Sequence, residues 1–193
     1  WGSEISRSQA HEILDFYYLK GGRYVDSAFN YPINSVSEDL NKSAIILQEW
    51  LQVNKITDLK INYKVGSISN TFITRNDNSP KNIMLQFDQA KAMFHSNLKT
   101  IMVHWDNTKK ENDIYDTCRC IFDIYNSGYN VGLSGIKAPL IYYKYLSEYN
   151  INQVDIQLKS NIFYNNFDHY KTNENLRIQF WGYGIASGGI KII

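Results

Sequence analysis

Apolar residues along the chain follow two spacings, one typical of helices and one typical of strands. Recurrence every three to four positions predicts five helices, at residues 8–20, 37–54, 82–97, 112–126 and 138–149. Short apolar runs between turn-forming residues predict six strands, at residues 23–28, 59–65, 99–104, 130–134, 153–158 and 177–183. Residues 164–175 are expected to be loop with a short helix.

The predicted strands and helices alternate along almost the whole chain. Such alternation favours parallel strands joined by crossover helices, in either a doubly wound sheet or a barrel. No linker or shift in composition divides the 193 residues. We therefore expect one α/β domain over residues 1–193.

Composition and charge narrow the function classes. The 20 basic and 19 acidic residues give a net charge of +1, so no basic excess points to nucleic acid or a membrane surface. Cys118 and Cys120 lie two positions apart in a predicted helix and point different ways, which predicts reduced thiols rather than a disulfide. One pair of cysteines is also too few for a zinc site. A cytoplasmic location and no metal are expected.

Polar side chains recur near the carboxyl ends of the predicted strands. In parallel sheets and barrels this edge carries the active site. Taken singly, each residue has an ordinary structural explanation, such as a buried ion pair between Asp26 and Lys64. The recurrence is what indicates function, and it comprises Asp26, Lys64, His104, Ser134, Gln157 and Tyr183.

Several segments, taken in chain order, match short motifs of one enzyme family. VDSAFNY at residues 25–31, followed by Ser37 and Glu38, resembles "DTA-x-x-Y … SE", and the step from Asp26 to Tyr31 (31 − 26 = 5) is the same. Further matches are YKVG at 63–66 to "TKVG", SNLKTIMVHW at 96–105 to "SL…lvHw", VGLS at 131–134 to "iGvSN" and DIQLKSN at 155–161 to "vvQ-x-x-yN". The chain thus resembles the aldo-keto reductases over nearly its whole length.

The resemblance implies a catalytic tetrad. Tyr31 would be the general acid that gives a proton to a substrate carbonyl, and the neighbouring ammonium of Lys64 would make it a stronger acid. Asp26 would hold Lys64 charged and in place. His104 would orient the carbonyl and stabilise developing negative charge.

The resemblance also implies a nicotinamide cofactor, NADP in preference to NAD, with NAD not excluded. Ser134 and Gln157 match residues that hold the nicotinamide carboxamide, Tyr183 matches the ring on which nicotinamide stacks, and Asp26 would border the same site. Three departures bear on this expectation, namely Gly135 in place of Asn, Pro32 in place of Gly, and GIASGG at residues 184–189 in place of "SPL".

The fold implied is the (β/α)8 TIM barrel of aldo-keto reductase type. Such barrels take about 250 residues, and by the motifs this chain lacks most of strand one and all of strand eight. We expect a fragment of a longer chain, or a barrel whose missing strands come from the rest of the chain or a partner. The residues that grip a cofactor 2′-phosphate would belong to strand eight and its helix.

Three functions are weighed on these residues. The first is reduction of an aldehyde, ketone or keto-sugar, and the second is a non-catalytic binding or regulatory subunit. The third is an aldolase or isomerase in which Lys64 forms a Schiff base, which Asp26 disfavours by keeping the lysine charged. A Rossmann-type phosphate loop at residues 182–188 is rejected, because too few residues follow to build its helix.

Overall fold

The computed structural model describes residues 1–73, 75–170 and 176–186. Five α-helices lie within this part: α1 Arg7–Leu19, α2 Lys42–Val53, α3 Pro80–Phe94, α4 Glu111–Asn126 and α5 Pro139–Glu148. Seven strands accompany them: β1 Tyr24–Ala28, β2 Lys60–Val65, β3 Leu98–His104, β4 Asn130–Ser134, β5 Gln153–Asn161, β6 Tyr164–Asn165 and β7 Arg177–Tyr183. Short 3₁₀ turns cover Ser37–Asp39, His95–Asn97 and Phe167–Tyr170.

The order of the strands separates the two architectures that the sequence left open. The strands β1, β2, β3, β4, β5 and β7 are paired in that order and all pairs are parallel, while β6 forms a short antiparallel hairpin with the end of β5. A doubly wound sheet would reverse its order at a switch point. The order therefore supports the predicted barrel.

The sheet curls until its two ends approach each other. Tyr24 on β1 and Trp181 on β7 stand at opposite ends of the strand order, yet their ring centroids are 5.4 Å apart. A flat sheet of six parallel strands could not bring them together. The chain forms an incomplete barrel of the (β/α)8 type, with its helices outside.

The two faces of the sheet differ in chemistry. On β2 the outward side chains are apolar and fully buried; Tyr63 packs against Phe94 at a centroid distance of 5.6 Å. The inward face carries many polar groups. The strand register places Asn62 beside Thr100, and it places the Asp155 carboxyl beside Gly132. TIM barrels usually fill this space with branched apolar residues.

The helix predicted over residues 37–54 is wrong in its first part. Asn41 adopts a left-handed conformation with φ 66°, which interrupts helical geometry, so Ser37–Asp39 forms a separate 3₁₀ turn and α2 begins at Lys42. Tyr63 donates a hydrogen bond to Asn41 Oδ1 at 2.7 Å and fixes the break. Asn41, rather than Ser37 at the start of the predicted helix, therefore occupies the N-cap position of α2.

Other differences lie at the ends of elements. The helix predicted to reach Asn97 ends at Phe94, and the strand predicted to end at Leu158 continues to Asn161, where the hairpin with β6 extends it. Trp1 and Gly2 form no strand; Trp1 donates to the Ser43 carbonyl at 2.8 Å. Residues 171–175 of the predicted loop lie outside the described part.

Two further observations concern the cysteines and the length of the helices. Cys118 and Cys120 are both free thiols buried along α4, as predicted from their spacing. Among the helices of the described residues, none has the length and apolar character needed to cross a membrane.

Candidate active site

All seven residues singled out in the sequence line one cavity at the carboxyl end of the strands. The cavity has a volume of about 80 Å³ and one further lining residue, Trp105. Parallel strands bring their carboxyl ends to the same edge, which is why residues far apart in the chain converge here. The seven are Asp26, Tyr31, Lys64, His104, Ser134, Gln157 and Tyr183.

Lys64 lies at the centre of the site. Its ammonium is 2% exposed and pairs with Asp26 Oδ2, whose side chain is 39% exposed. The ammonium also lies 5.0 Å from the centroid of the Tyr31 ring. The predicted neighbourhood of Asp26, Lys64 and Tyr31 is thus present in the structure.

The charge of Lys64 follows from two opposing effects. Burial alone would lower the pKa of Lys64, but the Tyr31 phenol and the Asp26 carboxylate together outweigh burial and raise its pKa above the ordinary value. Lys64 therefore stays protonated at neutral pH. A charged lysine cannot attack a carbonyl, which argues against the Schiff-base alternative.

Gln157 joins the buried pair to the opposite wall of the cavity. Its Nε2 donates to Asp26 Oδ1 at 2.6 Å, and its Oε1 accepts from Lys64 Nζ at 3.2 Å and from Ser134 Oγ at 3.4 Å. Gln157 on β5 therefore contacts residues on β1, β2 and β4 at once. A residue predicted only as a cofactor contact is also hydrogen-bonded to both members of the Asp26–Lys64 pair.

His104 is buried and uncharged. Burial, followed by the positive charge of Lys64, holds the pKa of His104 well below its ordinary value. Its ring meets the ring of Tyr31 edge-on at 5.9 Å, and Ser67 Oγ lies 3.5 Å from its Nδ1. A neutral imidazole can donate one N–H bond to a carbonyl oxygen without carrying charge itself.

A residue that supports His104 through the backbone was not found in the sequence. Gln86 of α3 is 1% exposed, accepts from the backbone N–H of Gly66 at 2.8 Å and donates to the Ser67 carbonyl at 3.3 Å. It thereby fixes the backbone that places the Ser67 hydroxyl beside His104. The available signal was a glutamine at a position of α3 that shares its face with Ile83 and Phe87.

Trp105 is the other residue that sequence reasoning left without a role. It is 40% exposed, follows His104 directly and packs edge-on against its ring at 5.5 Å. Gly135 lies beside it with φ 70°, and a Cβ added there would meet Trp105 Cδ1 at 3.5 Å. Glycine suits this left-handed position, and asparagine is among the side chains that tolerate it best.

Three lining residues have the chemistry needed to hold a flat aromatic ring that bears a carboxamide group. Ser134 and Gln157 are buried and supply a hydroxyl and an amide, while Tyr183 is 44% exposed at the rim and offers an aromatic ring. Hydroxyl and amide groups can bond both the carbonyl and the amino group of a carboxamide. The donor set fits the nicotinamide end of a cofactor. Residues 187–189 of the GIASGG segment, which replaces the family's "SPL", lie outside the described part.

Comparison with known proteins gives the family. A sequence model of the aldo/keto reductase family matches residues 1–190. Comparison with curated proteins gives no significant sequence match.

Solved structures with the same fold are distant in sequence. The aldo-keto reductase AKR11C1 from Bacillus halodurans, in its holo form, is 19% identical with a TM-score of 0.56, over 80% of this chain and 50% of that one. An aldo/keto reductase from Brucella melitensis is 13% identical with a TM-score of 0.64, over 92% and 64%.

A variant of Gox0644 crystallised in complex with NADPH is 13% identical with a TM-score of 0.69, over 96% of this chain and 62% of that one. This chain therefore spans between half and two thirds of the structures it matches.

Proposed function

Because the chain belongs to the aldo/keto reductase family, we propose that it reduces the carbonyl group of an aldehyde, ketone or keto-sugar with hydride from a nicotinamide cofactor. One observation carries the proposal. A buried, charged lysine lies between a carboxylate and a tyrosine, with a neutral histidine facing the same tyrosine. This arrangement suits proton transfer to an oxygen that becomes negative.

We assign the proton to Tyr31. The phenol gives its proton to the carbonyl oxygen as the carbon accepts hydride, so that an alcohol forms and a phenolate remains. The positive charge of Lys64 stabilises that phenolate, because opposite charges at close range favour the ionised form. Asp26 keeps Lys64 charged, and solvent returns the proton to Tyr31 after the product leaves.

His104 and Trp105 would set the orientation of the substrate. A neutral His104 donates a hydrogen bond to the carbonyl oxygen and directs it toward Tyr31. Trp105, half exposed at the mouth, offers an apolar surface to the rest of the substrate. The polar and aromatic lining fits small carbonyl compounds.

Reduced nicotinamide supplies the hydride when it is bound. Ser134 and Gln157 would hold its carboxamide, Tyr183 would stack on its ring and Asp26 would border the site. The relative crystallised with NADPH supports NADP as the cofactor. Buried free thiols at Cys118 and Cys120 fit a reducing, cytoplasmic compartment.

A binding or regulatory subunit is the second candidate. Gly135 provides no side-chain amide next to Ser134, so one polar contact to a carboxamide is absent. A nicotinamide held by fewer contacts would be oriented less well for hydride transfer, which would favour a protein that binds the cofactor without turnover. Measurement of NADPH binding together with NADPH oxidation separates the two functions.

Substitution of Tyr31 by Phe tests the proposal. We expect carbonyl-dependent oxidation of NADPH to fall by about 10²–10⁴-fold, the usual contribution of a general acid, while NADPH binding persists in fluorescence titrations. Tyr115→Phe on the outer face of α4 is the matched control and should leave turnover unchanged. Unchanged turnover in Tyr31→Phe would contradict the acid role, and NADPH binding without turnover in the unsubstituted chain would favour the regulatory subunit.

A further inference from the structure

Gln157 has more partners than a cofactor contact requires. Its Oε1 has two lone pairs, and both are directed to donors, one on Lys64 and one on Ser134. One of its two amide hydrogens is donated to Asp26. The side chain is only 6% exposed, so these bonds are largely shielded from bulk water.

The partners of Gln157 are the two charges of the ion pair. The amide hydrogen points to the carboxylate of Asp26 and the amide oxygen accepts from the ammonium of Lys64, so each end of the dipole meets the charge it stabilises. Bonds to charged groups are stronger than bonds between neutral groups. The bond from Gln157 matters for Asp26 because its side chain is 39% exposed, so water is available as an alternative partner.

We infer that Gln157 is a positioning residue for the Asp26–Lys64 pair, and that the nicotinamide carboxamide competes with Lys64 for its oxygen. The first half rests on contacts within the chain alone, and the second half rests on the proposed function. A carboxamide nitrogen that donates to Gln157 Oε1 must share this oxygen with Lys64 and Ser134, whose hydrogen bonds already fill its two lone pairs. Binding of the cofactor therefore redirects Lys64 toward Asp26 and Tyr31.

This coupling gives Gln157 a part in the proton transfer without contact to the substrate. Lys64 shares its hydrogen bonds between Asp26 and Gln157 before the cofactor binds. Once the amide turns to the carboxamide, the ammonium interacts more strongly with the Tyr31 phenol. The Tyr31 phenol thus becomes a stronger acid when the hydride donor is bound.

NMR of the full chain labelled with ¹³C at the lysine ε-carbons tests the positioning role. The Lys64 signal is identified by through-space contacts with the Tyr31 ring, whose centroid lies 5.0 Å from its nitrogen. Gln157→Met keeps the volume but removes both polar groups. We expect the ¹³C chemical shift of the Lys64 signal to change by more than its line width. We also expect the chemical-shift difference between its two ε-protons to fall by at least half.

Two further variants separate positioning from general damage. Gln153→Met, four positions earlier on the inward face of the same strand, should leave the Lys64 signal unchanged. Gln157→Glu keeps an acceptor for Lys64 but repels Asp26, so its signal should lie between those of the wild type and Gln157→Met. If Gln157→Met does not fold, comparison of the Lys64 signal in Gln157→Glu with that in Gln153→Met tests the positioning role. A Lys64 signal that is the same in the wild type and in every folded Gln157 variant would overturn the inference.

NADPH addition tests the competition. In the wild type the Lys64 signal should move in the direction seen for Gln157→Met, and in Gln157→Met NADPH should move it no further. NADPH binding that leaves the wild-type Lys64 signal in place would overturn the competition. Failure of NADPH to bind the wild type at all would count against the proposed function, whereas the cofactor-free comparison would still decide the positioning role.

Discussion

Lys64 and Asp155 are both buried ionisable residues on the inward face of the sheet, Lys64 at the cavity and Asp155 one layer below it. Lys64 is 2% exposed and pairs with Asp26 and Gln157. Asp155 is 3% exposed and accepts from Thr100 Oγ1 at 3.2 Å, but no basic group of the described residues forms an ion pair with it within 4.0 Å.

The two environments raise the pKa of both residues, with opposite consequences. For Lys64 the negative partners outweigh burial, and the raised pKa keeps the group charged. For Asp155 burial dominates over the bond from Thr100, and the raised pKa favours the neutral acid. The comparison teaches that burial preserves a charge only where an opposite charge accompanies it.

Removal of Asp26 should have the largest effect. Asp26→Leu leaves the Lys64 ammonium buried without its carboxylate, which should lower the free energy of unfolding by about 3 kcal/mol at neutral pH. Because the folded pKa of Lys64 is raised, its contribution to the pair is fully present at neutral pH and is lost as pH rises above 10.5. Urea unfolding at pH 7 and pH 11 measures the loss at each pH.

The double variant Asp26→Leu with Lys64→Met is the control for that prediction. It removes both charges, so it should be more stable at neutral pH than Asp26→Leu alone. Equal stability of the two would mean that an unpaired Lys64 costs nothing, and the comparison with Asp155 would lose its basis.

Protonation of His104 should give the next largest effect. The lowered pKa of His104 means that the unfolded chain takes up this proton first, so stability should fall as pH drops below 6.5, by at most about 1.4 kcal/mol per pH unit. His104→Gln should remove this part of the pH dependence between pH 6.5 and pH 5. His95→Gln, at an exposed position, should retain it. Parallel pH curves for wild type and His104→Gln would contradict the buried neutral state.

The smallest effect is expected at Asp155. The raised pKa means that the folded chain loses stability as pH rises from about 3.8, so Asp155→Asn should be more stable than the wild type at pH 7, by about 1 kcal/mol, and equal to it near pH 3. Asp88→Asn on the exposed face of α3 is the matched control. Thermal unfolding at both pH values provides the test. A loss of stability in Asp155→Asn at pH 7 would show that the charged carboxylate is compensated after all.

The sequence predicted the strands, and the convergence of the candidate site residues, better than the helix ends. β4 and β7 have the predicted bounds, because short apolar runs between polar and turn-forming residues mark a parallel strand, whether it is buried like β4 or partly exposed like β7. The convergence of the site residues at one edge also followed from parallel topology. The motifs supplied Tyr31, which lies in a loop after β1 and carries no signal in its spacing alone.

What could not be predicted depends on contacts between distant segments. The left-handed Asn41 that splits the helix predicted over residues 37–54 is fixed by Tyr63, 22 positions later. The support of His104 by Gln86 passes through the backbone after β2. The double role of Gln157 requires a contact across 131 positions of the chain. Propensity and periodicity describe local structure, whereas tertiary packing decides these contacts.

The order of the strands along the sheet has a consequence for how the chain folds. Each parallel strand pairs with the preceding one in the sequence, so most of the structure can grow unit by unit from contacts of modest sequence separation, as in repeat proteins. The bond between Asp26 and Gln157 is different, because it closes a loop of 131 positions. The hydrogen-bond network around Asp26 and Lys64 is thus completed only when β5 has docked, and its formation would report a late step of folding.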